Sequence, residues 1–430
     1  MRWLSGTKQE IMSELDKEKY TRKAEDQQVE VAVKEIIDTV LTNGDQALIE
    51  YSKEFDRTIL TDLEVSPKQI EQAYQQLDAD VKQALEKAKE NIISYHKKQK
   101  QYDFMDSEKN GVFRGQLVRP LERVGVYVPG GTAAYPSSVL MNVLPAKIAG
   151  VEEIIMVTPP SPKGVPSIIL AAAKIAGVDR VFQIGGAQAV GALAYGTDSV
   201  PKVDKIVGPG NIYVATAKKM VFGVVGIDMI AGPSEIGVLA DSQANPAFIA
   251  ADLLSQAEHD VLARTFLVTN SKELAEEVER EIAEQLITLP RKDIAERSIV
   301  DHSWIILTDT EADMFAIMNE IAPEHLEVQM ADPMSRLHEI KHAGSIFLGA
   351  YTSEPVGDYL SGTNHVLPTS GTAKFYSPLG VYDFIKYSQV SYYTKEALAE
   401  IQADIALLAR KEGLEAHARA VEYRFKEENQ

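Results

Sequence analysis

From Arg123 onward, the chain alternates short β-branched runs with stretches long enough to form helices. The runs RVGVYVPGG, EEIIMVTPP, RVFQIGG and DKIVGPG each end in glycine or proline, and segments such as PSSVLMNVLPAKIAG separate them. Two strands that pair in parallel need a crossover of about a dozen residues or more between them, usually a helix. The alternation therefore predicts parallel sheets of the α/β class.

A second series of strand-like runs follows in SEIGVLAD, RTFLVTN, SWIILTD, HLEVQM and AGSIFLGA, so we expect two α/β units. A chain of 430 residues is also too long for one ordinary core. We assign residues 26–120 and 237–380 to a first, discontinuous α/β domain, and residues 121–236 to a second. Residues 1–25 are predicted to form a helical N-terminal arm, and residues 381–430 a helical C-terminal extension.

Helical patterns dominate the first 120 residues. Ser66 and Pro67 supply a cap and a first-turn proline, so we expect one long charged helix from there to about Gln101. Near the other end, KEALAEIQADIALLARKEG reads as an amphipathic helix that Gly413 ends. Its predicted apolar stripe consists of Leu398, Ile401, Ile405 and Leu408.

The charge balance limits the partners of this chain. A formal net charge of −19 argues against nucleic acid or an anionic membrane as a partner, because both attract clustered Lys and Arg. The longest apolar runs fall short of the about 18 residues that a membrane span needs, and MRWLSGTKQEIMSELDKEKY lacks a signal-peptide core. We therefore expect a cytoplasmic enzyme.

The chain contains no cysteine. Disulfides, thiolate metal ligands and a cysteine nucleophile are thereby excluded. With only eight histidines, a site that needs several of them can be assembled in few ways.

Three glycine turns follow predicted strands, at Pro129-Gly130-Gly131, at Gly185-Gly186-Ala187-Gln188 and at Gly208-Pro209-Gly210-Asn211. Such turns at the carboxyl ends of strands let a backbone approach phosphate. None matches G-x-G-x-x-G, and the strand EEIIMVTPP offers no acid for a ribose hydroxyl. A nucleotide site is one interpretation, and ordinary turns between strand and helix are the other.

The segment AADLLSQAEHD reads as a helix with one apolar stripe and one polar side. Gln256 and His259 lie three residues apart on the polar side, with Asp252, and could converge on a metal ion or a substrate. A solvated polar face is the alternative interpretation. The stripe expected to be buried consists of Ala250, Leu253, Leu254, Ala257 and Val261.

Other segments also place reactive side chains near strand ends or in loops. APEHLEV sets Glu324 beside His325 at the mouth of a strand, and Ser234 stands before the strand EIGVLAD. A surface loop and a plain helix or strand cap are the alternative interpretations of these positions.

Two polar segments lie further along the chain. The loop GDYLSGTNHVLPTSG contains Asp358 and His365, and KEGLEAHARAV carries Glu412 and His417. Polar loops on a rigid scaffold are common functional positions, although turns and solvated helix ends have the same composition.

Several of these segments together resemble the histidinol dehydrogenase family, over nearly the whole chain. They are, in order, GPGNIYVATAKKM, DMIAGPSEIGVLAD, DLLSQAEHD, APEHLEV, AGSIFLG and GDYLSGTNHVLPTSGTA. The resemblance implies one Zn²⁺ per subunit, NAD⁺ as oxidant, and the four-electron oxidation of L-histidinol to L-histidine through the aldehyde. These are the last steps of histidine biosynthesis. It also implies two incomplete Rossmann-like domains and a homodimer in which the C-terminal segment crosses to the partner.

The same resemblance assigns roles to residues of this chain. Glu324 and His325 would be the acid–base residues, and Ser234 and Glu412 would bind substrate together with His325 and the metal ligands. The implied zinc ligands are Gln256, His259, Asp358 and His417. The implied NAD contacts are Tyr127, Gln188 and Asn211.

Two alternative functions stay open at the level of sequence. One is a dehydrogenase of the same superfamily that oxidises another small alcohol. The other is a zinc hydrolase or lyase, in which Glu324 would activate a metal-bound water and the glycine turns would bind another anion.

Overall fold

The fold was examined in a computed structural model, which describes residues 1–21, 26–130 and 134–429. Gly131, part of one predicted glycine turn, lies outside these residues. The chain forms two compact units, the first made of Met1–Lys100 with Leu121–Phe384 and the second of Gln101–Pro120 with Ile385–Gln430. Within the described part of the chain, every helix is too short or too polar to cross a membrane.

The strands follow one another in chain order. They are β1 (Arg2–Ser5), β2 (Phe104–Asp106), β3 (Val112–Pro120), β4 (Arg123–Tyr127), β5 (Glu153–Val157), β6 (Arg180–Phe182), β7 (Lys205–Val207), β8 (Gly226–Ile227), β9 (Glu235–Ala240), β10 (Arg264–Thr269), β11 (Ser303–Leu307), β12 (His325–Gln329), β13 (Ser345–Leu348) and β14 (Ile385–Tyr393).

The α-helices alternate with most of these strands. They are α1 (Lys8–Thr21), α2 (Asp26–Asn43), α3 (Asp45–Phe55), α4 (Pro67–Gln75), α5 (Ala79–His96), α6 (Pro136–Ala149), α7 (Ser167–Ala176), α8 (Gly186–Tyr195), α9 (Ile212–Val221), α10 (Pro246–Ala257), α11 (Lys272–Leu286), α12 (Lys292–Asp301), α13 (Glu311–Ile321), α14 (Glu354–Tyr359), α15 (Lys395–Lys411) and α16 (Glu415–Glu422).

The first unit contains a five-stranded parallel sheet in the order β6-β5-β4-β7-β8. Numbered along the chain, this is the 3-2-1-4-5 order of a Rossmann sheet that lacks its last strand. Helices α4 to α7 pack on one face, and α2, α3, α8 and α9 pack on the other. The helices of residues 26–96 therefore pack on this sheet, which differs from their expected grouping with residues 237–380. The division into domains stays a prediction.

A six-stranded parallel sheet in the same unit has the order β1-β11-β10-β9-β12-β13. Its last five strands repeat the 3-2-1-4-5 order, and β1 extends the edge beside β11. The N-terminal arm was expected to be helical, but it begins with this strand and continues as α1. Helices α10, α11 and α12 cover one face, and α1 and α13 cover the other. Two incomplete Rossmann-like parallel sheets are thus confirmed.

The second unit combines an antiparallel sheet, β14-β3-β2, with the C-terminal helices. Helix α15 and its stop at Gly413, which has φ of +79°, agree with the sequence pattern. Residues 381–430 were expected to be helical throughout, but they begin with β14, which pairs with β3. Strands β2 and β3 likewise differ from the helical pattern expected for the first 120 residues. The predicted stripe is shifted, because the buried residues of α15 are alanines and Leu408 is 64% exposed. Small alanine side chains let α16 approach this face, whereas Leu407 and Leu408 are exposed.

The long helix expected after Ser66 is two helices. The predicted cap is present, and Ser66 and Gln69 form a reciprocal capping box at the start of α4. Asp78 interrupts the helix, because its carboxylate accepts a hydrogen bond from the Asp80 N–H and so caps α5 separately. A local side-chain cap of this kind competes with continued helix.

The packing of α10, the helix that carries Gln256, can be tested by substituting Leu253. Its side chain is fully buried, so Leu253→Ala should lower the free energy of unfolding by about 2–5 kcal/mol in urea titrations. Leu262→Ala is the matched control, since Leu262 is 48% exposed and should change stability by less than about 0.5 kcal/mol. Equal losses in the two variants would contradict this packing.

Candidate active site

The predicted acid–base residues lie at the amino-terminal edge of the six-stranded sheet. Glu235, Arg264 and His325 are the first residues of three adjacent strands, β9, β10 and β12, and Glu324 immediately precedes β12. A crossover helix runs opposite to its strands, so the end of α10 returns Gln256 to this edge. Ligands of open α/β sheets usually bind at the carboxyl edge, and this site uses the other one.

The backbone of Glu235 binds both predicted acid–base residues, Glu324 and His325. The Glu235 N–H donates to Glu324 Oε2 at 2.9 Å, and the Glu235 carbonyl lies 3.0 Å from His325 Nδ1. A carbonyl oxygen can only accept, so Nδ1 must carry the proton. The neutral tautomer of His325 then has its lone pair on Nε2.

Nε2 of His325 faces carboxyl groups and has no hydrogen-bond partner in the described part of the chain. It lies 3.8 Å from Oε1 of Glu354 and 3.9 Å from Oδ1 of Asp358. Burial lowers the pKa of His325 to about 4, although the nearby Asp358 opposes that shift. His325 is therefore a neutral base near pH 7, with its basic nitrogen directed into the site.

Glu324 is a buried acid beside this base. Burial raises the pKa of its carboxyl well above the ordinary 4.5, and the charges of Glu235 and Asp358 act in the same direction. A carboxyl group with a raised pKa can donate a proton near neutrality, and it is a stronger base once it has lost that proton.

The Glu235 side chain is itself anchored, a feature that the sequence interpretation missed. Its carboxylate accepts hydrogen bonds from Arg264 Nη1 at 2.8 Å and from the Ser370 N–H at 3.0 Å. The Arg264 guanidinium also lies over the rings of Phe266 and Trp304, which stack on each other. Register places Glu235 opposite Arg264, and this pairing becomes visible only once the two strands are aligned.

A group of potential metal ligands lies at the same edge. His259, Glu354 and Asp358 each offer a ligand atom, and these atoms lie within 4.8 Å of one another. The side-chain nitrogen and oxygen of Gln256 are both buried without a hydrogen-bond partner among the described residues. An unsatisfied buried amide is costly, so this position fits a residue that binds a metal ion or a substrate.

The surroundings of α10 correct the prediction made for this helix. The helix ends at Ala257, and His259 lies in the turn that follows. The N–H of His259 donates to the Gln256 carbonyl. Asp252 and Gln256 are only 8% and 0% exposed, so the alternative of a solvated polar face is wrong for these two residues. Polar partners on β12 and α14, distant in sequence, cover this side.

Strand β12 supplies those partners by simple alternation. His325, Glu327 and Gln329 share one face, opposite Leu326 and Val328 in the core. The sequence HLEVQM contains this signal, since every second residue of a fully buried strand is polar. The sequence interpretation did not use it.

Glu327 connects the strand to α14. Its Oε1 accepts the Glu354 N–H at 2.8 Å, while Gln329 Nε2 donates to Glu327 Oε2 at 2.8 Å and to Asp252 Oδ2 at 2.7 Å. Burial raises the pKa of Glu327 to about 9, with Asp252 adding to the shift, and that of Glu354 to about 10, with Asp358 adding. Burial thus disfavours the charged form of both carboxyl groups.

His365 connects this edge to the five-stranded sheet. Its Nδ1 lies 3.6 Å from Asp358 Oδ1, and its Nε2 lies 3.2 Å from the hydroxyl of Ser138. Ser138 belongs to the first turn of α6, which follows β4. The sequence analysis noted His365 without giving it a role. It missed Ser138, although a hydroxyl residue soon after a glycine turn could have been recognised as a candidate site residue.

The predicted NAD contacts lie at the carboxyl edge of the five-stranded sheet. Tyr127 ends β4, and its buried hydroxyl accepts the Gly186 N–H at 3.0 Å, at the start of α8. Burial raises the pKa of Tyr127 to about 12. Gln188 is buried, and its Oε1 lacks a hydrogen-bond partner within the described chain. Asn211 caps α9 by accepting the N–H groups of Tyr213 and Val214.

The remaining predicted site residues lie in different parts of the fold. Ser234 is half-buried and directly precedes Glu235, and its carbonyl accepts the Arg264 N–H at 2.9 Å. Glu412 and His417 belong to the second compact unit, where both are exposed. The first unit thus brings together Glu324, His325, His259 and Asp358, with Glu354 as an unpredicted member.

The fold and the site define an α/β enzyme, with a buried base and a buried acid beside potential metal ligands. A sequence profile of the family described as histidinol dehydrogenase matches residues 19–425, and the chain belongs to this family of oxidoreductases.

Individual relatives agree with this assignment. A histidinol dehydrogenase of Listeria monocytogenes serotype 4b (strain F2365) is 62% identical over 429 residues, covering 100% of both chains. One of Streptococcus mutans serotype c (strain ATCC 700610 / UA159) is 59% identical, covering 99% of both. The crystal structure of the Elizabethkingia anophelis histidinol dehydrogenase has a TM-score of 0.88 at 39% identity, covering 93% of this chain and 92% of that one. The resemblance found in the sequence is confirmed.

The tautomer of His325 can be measured by nitrogen NMR on protein labelled at histidine. We expect a neutral ring protonated at Nδ1 across about pH 5 to 8, where an ordinary histidine titrates. The pKa lowered to about 4 and the Glu235 carbonyl are the physical reasons. His325→Gln assigns the signal by removing it. A ring protonated at Nε2, or an imidazolium at pH 7, would contradict the geometry.

Proposed function

We propose that this chain catalyses the four-electron oxidation of L-histidinol to L-histidine through the aldehyde, with one Zn²⁺ per subunit and NAD⁺ as oxidant. The observation that carries the proposal is the neutral His325, whose basic nitrogen faces a group of metal-ligand residues in a chain of this family. A base placed beside a metal-held alcohol is what alcohol oxidation requires.

The residues at the amino-terminal edge fit a zinc ion. We assign Gln256, His259 and Asp358 at this edge as ligands, with His417 of the C-terminal extension as the fourth, a nitrogen and oxygen set of the kind zinc accepts. Support comes from the unpartnered amide of Gln256 and from the short separation of His259 and Asp358. Glu354 lies in the same group and stands next to this shell. When bound, zinc would hold the substrate amine and imidazole and withdraw charge from the reacting carbon.

His325 would take the alcohol proton at Nε2 while the carbon-bound hydride leaves to the first NAD⁺. The developing imidazolium would be stabilised by Asp358, 3.9 Å from Nε2, and by the Glu235 carbonyl at Nδ1. The product of this step is the aldehyde, which stays in the site for the second oxidation.

Glu324 would serve the second oxidation. The chain has no cysteine, so the aldehyde must gain water before it can lose a hydride. In its deprotonated form Glu324 would take a proton from that water as its oxygen attacks the aldehyde carbon. During this addition His325 would return its first proton to the aldehyde oxygen, which completes the hydrate. The neutral His325 would then remove a hydroxyl proton of the hydrate while the hydride leaves to a second NAD⁺, giving the carboxylic acid.

We propose the remaining contacts from the resemblance to the family. Ser234 and Glu412 would bind histidinol, together with His325 and the zinc ligands. NAD⁺ would contact Tyr127, Gln188 and Asn211. The buried hydroxyl of Tyr127 is already bound to α8, so its ring and the turn that it holds are the parts suited to this role.

We further propose a homodimer in which the C-terminal extension of one chain supplies Glu412 and His417 to the site of the other. The helices of this extension leave large apolar side chains uncovered in one chain, with Leu407 57% and Leu408 64% exposed. An apolar surface of this kind is typical of an interface.

A direct assay tests the function. L-histidinol with NAD⁺ should produce the absorbance of NADH. A dehydrogenase for another small alcohol would instead reduce NAD⁺ with that alcohol and not with histidinol. A zinc hydrolase or lyase would produce no NADH from any alcohol, and either result would refute the proposal.

Metal content provides a first prediction from the proposed site. His259→Ala should contain less zinc than wild type in metal analysis. Its zinc affinity should fall by more than the roughly 10- to 100-fold that loss of an outer-shell residue causes, because a direct ligand is removed. His338→Ala is the matched control, because His338 is an exposed histidine that is not part of the ligand group. Full zinc content and an unchanged rate in His259→Ala would refute the ligand assignment.

The two oxidations should separate by mutation. Glu324→Gln should slow aldehyde oxidation by about 100-fold or more, and alcohol oxidation much less, because only the former needs water activated. His325→Asn should slow both. Equal losses for both substrates in Glu324→Gln would contradict this division of labour.

The pH profile is the control for that prediction. Because the pKa of Glu324 is raised, its base form accumulates only as pH rises, so wild-type aldehyde oxidation should increase with pH through that pKa. Glu324→Gln should lack this inflection.

Hybrid dimers test the shared site. Neither His417→Ala nor His325→Asn alone should be active. In a hybrid dimer, one site combines the intact His325 of the first chain with the intact His417 of the second. The other site carries both substitutions, so each hybrid dimer should have one active site of two. If hybrids verified by mass spectrometry remain inactive, the tail serves its own subunit.

A further inference from the structure

A buried ion pair that no catalytic step uses lies beneath the glycine turn before α9. Lys218 is in α9, and Asp228 follows β8; their side chains are only 3% and 1% exposed and form a salt bridge. Removing two charges from water is costly, and good geometry with additional hydrogen bonds is needed to offset that cost.

Both members of the pair bind the same residue of the turn. Lys218 Nζ donates to the Gly208 carbonyl at 2.9 Å, and Asp228 Oδ2 accepts the Gly208 N–H at 2.8 Å. The second oxygen of Asp228 accepts the Met229 N–H at 2.6 Å. The peptide groups on both sides of Gly208 are therefore fixed by charged partners, whose hydrogen bonds are stronger than neutral ones.

Gly208 occupies a conformation that requires the absence of a side chain, and the Lys218–Asp228 pair binds it in that conformation. Its φ is +110°, and a Cβ atom there would lie 2.1 Å from the Tyr127 carbonyl oxygen. The turn thus packs against the end of β4, next to β7. Between these two strands the chain order of the sheet reverses, which is where dinucleotides bind in sheets of this order.

The Lys218–Asp228 pair also affects which groups the turn presents to a ligand. Pro209 and Gly210 lead directly from Gly208 to Asn211, the proposed NAD contact. Oδ1 of Asn211 accepts the N–H groups of Tyr213 and Val214, so the side chain presents its amide nitrogen as a donor. The direction of that donor depends on the path of the chain from Gly208.

We propose that Lys218 and Asp228 are positioning residues for the dinucleotide, holding the Gly208–Asn211 turn in its binding conformation before NAD⁺ arrives. This inference rests on the proposed function, since it takes NAD⁺ as the ligand of that turn. A turn that is already ordered binds without the loss of conformational freedom that a loose turn would suffer.

The test compares NAD⁺ affinity and folding in variants of the pair. The central variant is the double change Lys218→Met with Asp228→Asn, which leaves no unpaired buried charge and so avoids the main cause of misfolding. Lys219→Met is the matched control, because Lys219 is the next residue of the helix and forms an exposed salt bridge with Glu30. The dissociation constant of NAD⁺ is measured by calorimetry, alongside zinc content and the KM for histidinol.

We expect the double variant to bind NAD⁺ about tenfold more weakly or worse, the scale of losing a hydrogen bond to a charged group. Zinc content and the KM for histidinol should stay near wild type. The double variant should remain folded at the assay temperature with a lowered thermal unfolding midpoint, because the buried Gly208 carbonyl loses its donor. Lys219→Met should match wild type throughout. Wild-type NAD⁺ affinity in the double variant would overturn the proposal. So would an equal loss of NAD⁺, histidinol and zinc binding, or failure to fold, since each would make the pair a general structural element.

The same measurements separate this proposal from the proposed function. If the wild-type chain binds NAD⁺ but does not oxidise histidinol, only the substrate assignment fails, and the comparison of variants still decides the role of the pair. If the wild-type chain does not bind NAD⁺ at all, both proposals fail.

Discussion

The two hydrogen bonds made by the backbone of Glu235 are the constraint on which the rest of the site depends. Its N–H binds the carboxyl of Glu324, and its carbonyl binds Nδ1 of His325, so one residue at the start of a central strand orients both. The Arg264 and Ser370 bonds to its side chain tie that strand end to its neighbours. An acid and a base held in this way lose little freedom on reaching a reactive geometry, and geometry of this kind can supply much of a catalytic effect.

The two Rossmann-like sheets share one strand order but use opposite edges. The five-stranded sheet presents its glycine turns at the carboxyl edge, as such sheets usually do, whereas the six-stranded sheet presents His325 at its amino edge. His365, between Asp358 and the Ser138 hydroxyl, connects the two sets of residues. This arrangement lets one chain combine a nucleotide-type turn with a separate acid–base and metal-ligand group. Glu327 and Glu354 are buried near the metal-ligand group, and burial raises the pKa of both carboxyls because an unpaired buried charge is costly.

The sequence predicted the parts of the fold and site that depend on local pattern. Alternation of strands and helices predicted both parallel sheets, and the family motifs brought His259, Asp358, Glu324 and His325 together. It could not reveal interactions that depend on strand register or distant partners. Examples are the pairing of Glu235 with Arg264, the edge strand β1, and Glu354 in the ligand group. A solvated polar face stayed open as an alternative for the helix with Gln256 for the same reason, because periodicity cannot show that β12 and α14 cover it.

The central claim is that one site carries out both oxidations, with His325 as the base in each. The most direct test is the amount of NADH formed per histidinol consumed when NAD⁺ is in excess, together with the identity of the product. The account predicts two NADH for each histidinol, with histidine as the product and no free aldehyde. One NADH with aldehyde released into solution, or consumption of histidinol without NADH, would contradict it.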